Sequence, residues 1–467
     1  VTVRPETQLL WAGEFQFTSP PVIVGDVVIV GSAISDNARR AAPHGTVRAF
    51  NVRTGAAVWS FDPIPRTADA PTRADWPEGA APVEGHANVW APMSADLKRG
   101  LVFLPTSSPS PDFYGGLRAG DNRHANSVVA LEAATGAVRW AYQIVHHDVW
   151  DYDLPAQPGL YQVWRDGRRH DVVAQVTKTG HVFVLDRDTG APFLPIEERP
   201  APQDGQTGEV LSATQPFPVR TPALVPDRIA PGDAFGLTWF DKRACAARIK
   251  SADAGGLFTP PSERGALIYP ANSGGANWGG AAFDPSRNLL VVNMSNIVHH
   301  VQLIAAENVP EMRAVFHDSE VSPQSGAPYG MKREVLVSPL GLPCNPPPWG
   351  VIAGVDLASG AIVWRKRFGT TQDLAGGLAL PLGTPNFGGP IITSGGLIFI
   401  GATMDNYLRA FDIATGAELW KGRLPAGGQA TPMTYEWEGR QYVVIYAGGH
   451  ARAGTTLGDS IVAFALP

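Results

Sequence analysis

One pattern recurs five times along these 467 residues, roughly A-x-[DN]-x-x-[TS]-G-x-x-x-W. It reads AFNVRTGAAVW at 49–59, ALEAATGAVRW at 130–140, VLDRDTGAPFL at 184–194, GVDLASGAIVW at 354–364 and AFDIATGAELW at 410–420. The second copy carries Glu132 at the acidic position, and the third lacks the closing Trp. A unit of about 55 residues fits the spacing, with one insertion and one long gap holding degenerate units. Each copy reads as a hairpin: an alternating strand ends at Asp or Asn, Thr-Gly turns the chain where φ must be positive, and an outer strand follows. A Trp at a fixed place in that outer strand can pack against the next unit. Two further strand-like runs precede the hairpins, such as 20–32, 95–105, 283–293 and 390–402. Four short strands per unit with a Gly-rich return predict an all-β chain, a β-propeller of four-stranded antiparallel blades with Trp-docking repeats. Six to seven blades are countable. The last unit (431–467) stops without its outer strand, and 8–15 is a candidate to close the ring in its place.

Composition removes the competing classes. Apolar residues make up 44% of the chain and there are 13 Trp, far too many for disorder. No apolar run reaches the ~18 residues of a membrane span. The net charge of −6, with no long basic run, argues against nucleic acid as the partner. Helical periodicity is weak, the best short helix being 301–316, interrupted by Pro310. The stretches 61–86, 106–125, 195–240 and 317–349 are rich in Pro and Gly and read as loops on the propeller faces. Cys245 and Cys344 exclude a disulfide framework, a zinc ribbon and C-x-x-C chemistry, leaving either one long-range bridge or two buried thiols. Val1 follows no charged or apolar leader, so any targeting segment has been removed or lies outside this sequence.

A propeller alone assigns no function. There is no G-x-G-x-x-G, Walker A loop, H-E-x-x-H or G-x-S-x-G, so chemistry must come from loop residues converging on the axis. The densest cluster is VHHDVWDYDLPAQPG (145–159), with His146, His147, Asp148, Asp151 and Asp153 among Trp150 and Tyr152. As a solvated acidic turn it would be unremarked, but aromatic neighbours desolvate acids and perturb their protonation. Lys178 follows in TKTGHVFVLD.

These residues carry a resemblance. The run 146–158 followed by Lys178-Thr179-Gly180, together with 19–37, 88–92, 259–280, 337–350, 404–412 and 423–450, resembles the membrane-associated glucose/quinate/shikimate family of quinoprotein dehydrogenases. That resemblance spans nearly the whole chain. It implies an eight-bladed propeller binding pyrroloquinoline quinone (PQQ), here one domain over 1–467 that lacks the N-terminal part, about two blades and the membrane helices. It implies Asp151 as catalytic base and Lys178 as the cation on the quinone oxygens. Trp90 would be the platform under the ring, and Asn272, Asp405 and His450 further cofactor-pocket residues. Asp36, Asn37 and Ser110 would hold a divalent metal, Ca2+ or Mg2+, as oxygen ligands suit a hard cation. The implied reaction is oxidation of a sugar or cyclic polyol by hydride transfer to the quinone, with a membrane quinone as the next acceptor. The implied location is the periplasm, at the inner membrane through a segment outside this chain. The rival reading is a scaffold propeller for protein binding, which has no need of an acid, a lysine and a Trp around one slot.

Overall fold

A computed structural model describes residues 7–67, 70, 73–76, 83–316 and 319–466, so parts of the expected 61–86 and 317–349 loops lie outside the described residues. Six blade-like antiparallel sheets follow one another in chain order. Blade 1 comprises Val22–Val24, Val27–Val30, Val47–Asn51 and Ala57–Phe61, and blade 2 Ser94–Asp96, Leu101–Pro105, Ser127–Glu132 and Val138–Gln143. Blade 3 has three strands, Gly159–Arg165, Arg168–Val176 and Val182–Asp186. Blade 4 (Ala281–Asp284, Leu289–Ser295, Gly350–Asp356, Ile362–Arg367) and blade 5 (Ile391–Ile392, Leu397–Ile400, Tyr407–Asp412, Glu418–Arg423) return to four. Blade 6, Met433–Trp437, Arg440–Ala447 and Ser460–Ala465, lacks an outer strand among the described residues.

The strands alternate, and the core lies between the blades. In blade 4, Leu290 and Val292 pack with Val172 and Val184 of blade 3, while Leu289 and Val291 pack with Ile398 and Ile400 of blade 5. A period of two sends successive side chains to opposite faces, so each strand glues two interfaces. The Thr-Gly hairpins supply a second joint. Trp59, Trp140 and Trp364 lie against the turn glycines Gly136, Gly190 and Gly416 of the next blade. Their indole N–H groups donate to the main-chain oxygens of Ala133 (2.8 Å), Arg187 (3.1 Å) and Ile413 (2.9 Å). Where the third copy has Leu194 instead of Trp, the next turn glycine, Gly360, meets Arg220 and Thr221. The innermost strands of all six blades start around an axial cavity of about 770 Å³, bordered by Pro21, Pro92, Pro158, Trp278, Pro390 and Thr431.

The structure corrects several sequence expectations. Residues 8–15 do not join blade 6; Phe15–Gln16 pairs instead with Ala33–Ile34. Pro310 opens a helix rather than breaking one: Val309–Val315 is helical and preceded by the strand His299–Ala305. Proline fits there because the first helical residues need no N–H partner. The stretch 195–240 holds a hairpin of Ile196–Pro200 with Thr214–Pro218. It runs into the unforeseen helix α1, Trp239–Ser251, capped by the Thr238 hydroxyl accepting from the Asp241 N–H at 3.2 Å. Cys245 of α1 is disulfide-bonded to Cys344, the first of the two alternatives the sequence left open. A four-stranded sheet (Ala266–Ile268, His299–Ala305, Tyr329–Val335, Glu320–Ser322) is inserted chiefly between the second and third strands of blade 4. No helix among the described residues is long and apolar enough to cross a membrane.

Candidate active site

The loop leaving blade 2 alternates aromatic and acidic residues, and the alternation is anchored from the aromatic side. The Trp150 indole donates to the Thr259 carbonyl (2.8 Å), and the Tyr152 hydroxyl to that of Pro270 (2.5 Å). Asp148 fastens the loop, accepting from the N–H groups of Trp150 (3.0 Å) and Tyr152 (2.9 Å). Burial pushes its carboxyl up to about 6, against the hydrogen bonds it receives. Asp148 and His147 thus serve the loop: the His147 Nδ1–H donates to the Gly120 carbonyl at 2.7 Å, and burial with Arg118 lowers the ring to about 4.

With both aromatics turned inward, Asp151 and Asp153 face a common point. Asp151 adopts φ 60°, in the left-handed region that costs a non-glycine residue about 1 kcal/mol or more. The Lys178 ammonium donates to the Asp151 Oδ1 (2.9 Å) and main-chain oxygen (2.8 Å), and contacts Asp153 Oδ1. The other oxygen of Asp153 accepts from the Trp90 indole N–H. Lys178, Asp151 and Asp153 are each more than nine-tenths buried. Burial opposes the lysine's charge, but the two carboxylates outweigh it and hold the ammonium above its ordinary value. Burial likewise raises Asp153, against Lys178. Behind Lys178, a Cβ on Gly275 would stand 2.1 Å from the lysine's carbonyl oxygen, so only glycine fits.

The far side of Asp151 is built by the inserted sheet. Its Oδ2 accepts from the Asn272 amide at 2.5 Å and faces the Arg333 guanidinium at 3.3 Å. Asn272 Oδ1 can only accept, so His299 carries its proton on Nδ1, 2.7 Å away. Burial, Arg333 and Lys178 push that imidazole down to about 3, leaving it neutral. Arg333 also pairs with Glu320 at 2.5 Å, which with Asp151 sustains its charge against burial.

Asp36, an exposed residue, lies within electrostatic reach of the same cluster. Surrounding protein, then Asp112 and Asp151, push its carboxyl up to about 8. Asp36, Asp112 and a ring nitrogen of His86 offer ligand atoms within 4.8 Å of one another. Asn37 is buried at φ 57° with neither amide atom hydrogen-bonded; His86 Nε2 also lacks a hydrogen-bond partner, while His86 Nδ1 faces Asp112 Oδ1 at 3.5 Å. Ser110 is differently placed: its hydroxyl donates to the Arg40 carbonyl (2.5 Å) and accepts from the Gly85 N–H (2.9 Å).

Of the residues expected from sequence, the structure therefore gathers Asp151, Lys178, Trp90 and Asn272 into one bonded chain, with Asp36 and Asn37 on its border. Asp405 and His450 share no hydrogen bond with that chain. Asp405 is fully buried, taking donations from Arg409, Thr370 and Thr403. His450 stacks on Phe387 at 5.4 Å and accepts from the Ala453 N–H through Nδ1. The sequence reading missed Asp153, His299, Arg333, His86 and Asp112 as site residues; W-D-Y-D signalled the first, but nothing local marked the others.

Residues 1–443 match the family described as PQQ: glucose/ethanol/alcohol dehydrogenase, beta-propeller domain. The chain belongs to the PQQ β-propeller family. Quinoprotein glucose dehydrogenase A of Acinetobacter calcoaceticus is 41% identical, over 98% of this chain and 58% of its own length. Quinoprotein glucose dehydrogenase of Escherichia coli (strain K12) is 41% identical, over 97% and 58%. Quinate/shikimate dehydrogenase (quinone) of Acinetobacter baylyi is 40% identical, again over 97% and 58%. The chain thus spans rather more than half the length of these curated relatives. A europium-containing methanol dehydrogenase matches the fold with a TM-score of 0.66 at 22% identity, over 97% of this chain and 74% of that one. The residues fit the family's cofactor and a cation: an ammonium, a guanidinium, an amide and a half-buried indole suit an anionic planar quinone, and the orphaned atoms of Asn37 and His86 suit a metal.

Proposed function

We propose that this chain is the catalytic propeller of a PQQ-dependent dehydrogenase oxidising a CH–OH group of a sugar or cyclic polyol of the glucose, quinate or shikimate type, as a single unit over 1–467. One observation carries the reading: Asp151, Lys178 and Trp90, distant in sequence, are joined through Asp153 at one buried point. PQQ, when bound, supplies the two-electron acceptor. Asp151 takes the hydroxyl proton on a carboxylate oxygen, and Asn272, steadied by neutral His299, fixes the plane of that carboxylate. Lys178 places positive charge where negative charge grows, in a site that excludes water. Trp90 offers a flat apolar face, its ring held by Asp153 and its main chain by Thr18 at 3.0 Å. A divalent cation would sit at Asp36 and Asn37. Electrons would leave to a membrane quinone, with the protein in the periplasm. A binding-only propeller has no use for buried acids and cations at its axis, which are costly to bury.

The test is to titrate the protein with PQQ and a divalent cation while following Trp fluorescence, then assay dye-linked oxidation of glucose, quinate and other polyols. Quenching with substrate-dependent dye reduction is expected. No PQQ binding, or binding without oxidation of any polyol, would overturn the reading.

A further inference from the structure

A second cavity, of about 550 Å³, lies against the outer strands of blade 2 and shares no lining residue with the axial one. Its size falls in the range of about 300–1,000 Å³ usual for small-molecule sites. Asp75 and Trp76 reach it from the loop joining blades 1 and 2, and Asp121, Arg123 and His124 from the loop between the second and third strands of blade 2. The main chain of that second loop is fully committed. The Asp121 carbonyl accepts from the Gln143 amide (2.6 Å) and the His147 N–H (3.1 Å), and the Gly120 carbonyl from the His147 ring. Asn122, His124 and Asn126 take φ values of 58°, 72° and 48°, three left-handed non-glycine residues within five positions, and such strain collects at ligand sites. The side chains facing the cavity are, by contrast, open to a partner. The Trp76 indole N–H is buried, in a residue only 4% exposed, and has no hydrogen-bond partner among the described residues. Buried donors left this way await an acceptor. Arg123 faces Asp75 only across 3.8 Å, and both are exposed, as is Asp121. Burial, with Arg123, lowers the buried His124 to about 4, so at neutral pH its ring offers one donor and one acceptor. Two carboxylates, a guanidinium, a neutral imidazole and an indole N–H are matched together by hydroxyl groups, which both donate and accept. Two acids against one arginine leave the site net negative, which disfavours an anion.

We propose that this cavity is a second binding site, separate from the axial one, for a neutral sugar or cyclic polyol, held by Asp75, Asp121, Arg123, His124 and the Trp76 indole N–H. The proposal goes beyond the quinoprotein reading, and its test omits quinone. The full chain, 15N-labelled at histidine, is titrated with D-glucose and, separately, with myo-inositol. Calorimetry gives the stoichiometry, and nuclear magnetic resonance of the imidazoles gives the place, with His124→Gln and His299→Gln assigning those two rings. At least one of the two polyols should bind once per chain and shift the His124 signals while leaving those of His299 in place. Arg123→Gln and Asp121→Asn, at exposed positions, should each weaken binding about tenfold, and Trp76→Phe likewise. Should Trp76→Phe fail to fold, the two exposed variants and the His124 signals decide. Quinate, a polyol carrying a carboxylate, should bind at least about tenfold more weakly than the better neutral polyol. Binding of neither polyol, binding that leaves His124 unmoved, unchanged affinity in both exposed variants, or quinate bound as tightly would each overturn the proposal. A chain that failed to take PQQ but bound a polyol as described would strike the quinoprotein reading and leave this one standing.

Discussion

The blade hairpins and the axial loops of this molecule obey opposite rules. In the hairpins local demands are met: Asp186 Oδ1 accepts from the Thr189 N–H (2.9 Å) and hydroxyl (2.8 Å), glycine takes the positive φ, and three indoles find a carbonyl on the next blade. In the loops around Asp36 and Asp151, Asn37, His86, Ala87, His147 and Asp151 take positive φ without being glycine, and like charges crowd together. Stability is made at the periphery and partly given up at the centre, as expected of a preorganised site. A smaller contrast lies within the hairpins. Trp140 and Trp364 are 8% and 7% exposed, whereas Trp420, from the same motif, is 40% exposed and its indole donates to no described residue. The motif sets up the joint, and the neighbouring turn completes it.

The sharpest break in this contrast is Asp151→Asn. It should lower dye-linked turnover of the PQQ-loaded protein by about 10²–10⁴-fold while leaving the melting temperature near that of the parent. A matching collapse of stability would mean that the centre is structural after all. Next comes Lys178→Met, which strands buried carboxylates and should destabilise by about 3–5 kcal/mol at neutral pH in denaturant titration. Its deficit relative to the parent should shrink as pH falls, because burial raises Asp153 and favours its neutral form. In the periphery, Trp364→Ala should cost about 3–5 kcal/mol, and Trp420→Ala no more than about 1 kcal/mol. Equal costs would remove the distinction between docked and undocked indoles.

Acid should probe the centre more gently. His299 is held neutral down to about 3, and the unfolded chain protonates it below its ordinary 6.5. The folded state therefore binds fewer protons, and this group's contribution is intact above 6.5 and lost as pH falls through the window down to 3. His299→Gln should flatten the fall in stability by about 1.4 kcal/mol per pH unit there, measured as unfolding free energy against pH. The smallest effect is expected for Asp186→Ala, about 1 kcal/mol, with turnover unchanged.

The same contrast explains what was legible in the sequence. The hairpins repeat, so their strands, turn glycines and docking Trp residues could be read from one pattern, including the odd Leu194. Asp151, Lys178 and Trp90 were legible through long specific runs. His299 and Arg333 were not, because they meet Asn272 and Asp151 only once the inserted sheet has folded, and in their own segments they look like ordinary strand residues. His86 and Asp112 lie in separate loops with no spacing rule between them. Asp405 shows the reverse: a noticeable acid whose bonds to Arg409, Thr370 and Thr403 are those of an internal brace.

The bridge between Cys245 and Cys344 closes a span of 99 residues, and a loop of that length gives a nominal ~4.7 kcal/mol of entropic stabilisation. That span contains Asn272 and the strands bearing His299 and Arg333. Heterologous production in a thiol-rich cytosol would leave it unfastened, so secretion to an oxidising compartment favours material in which this span is held against the rest of the sheet that carries His299 and Arg333.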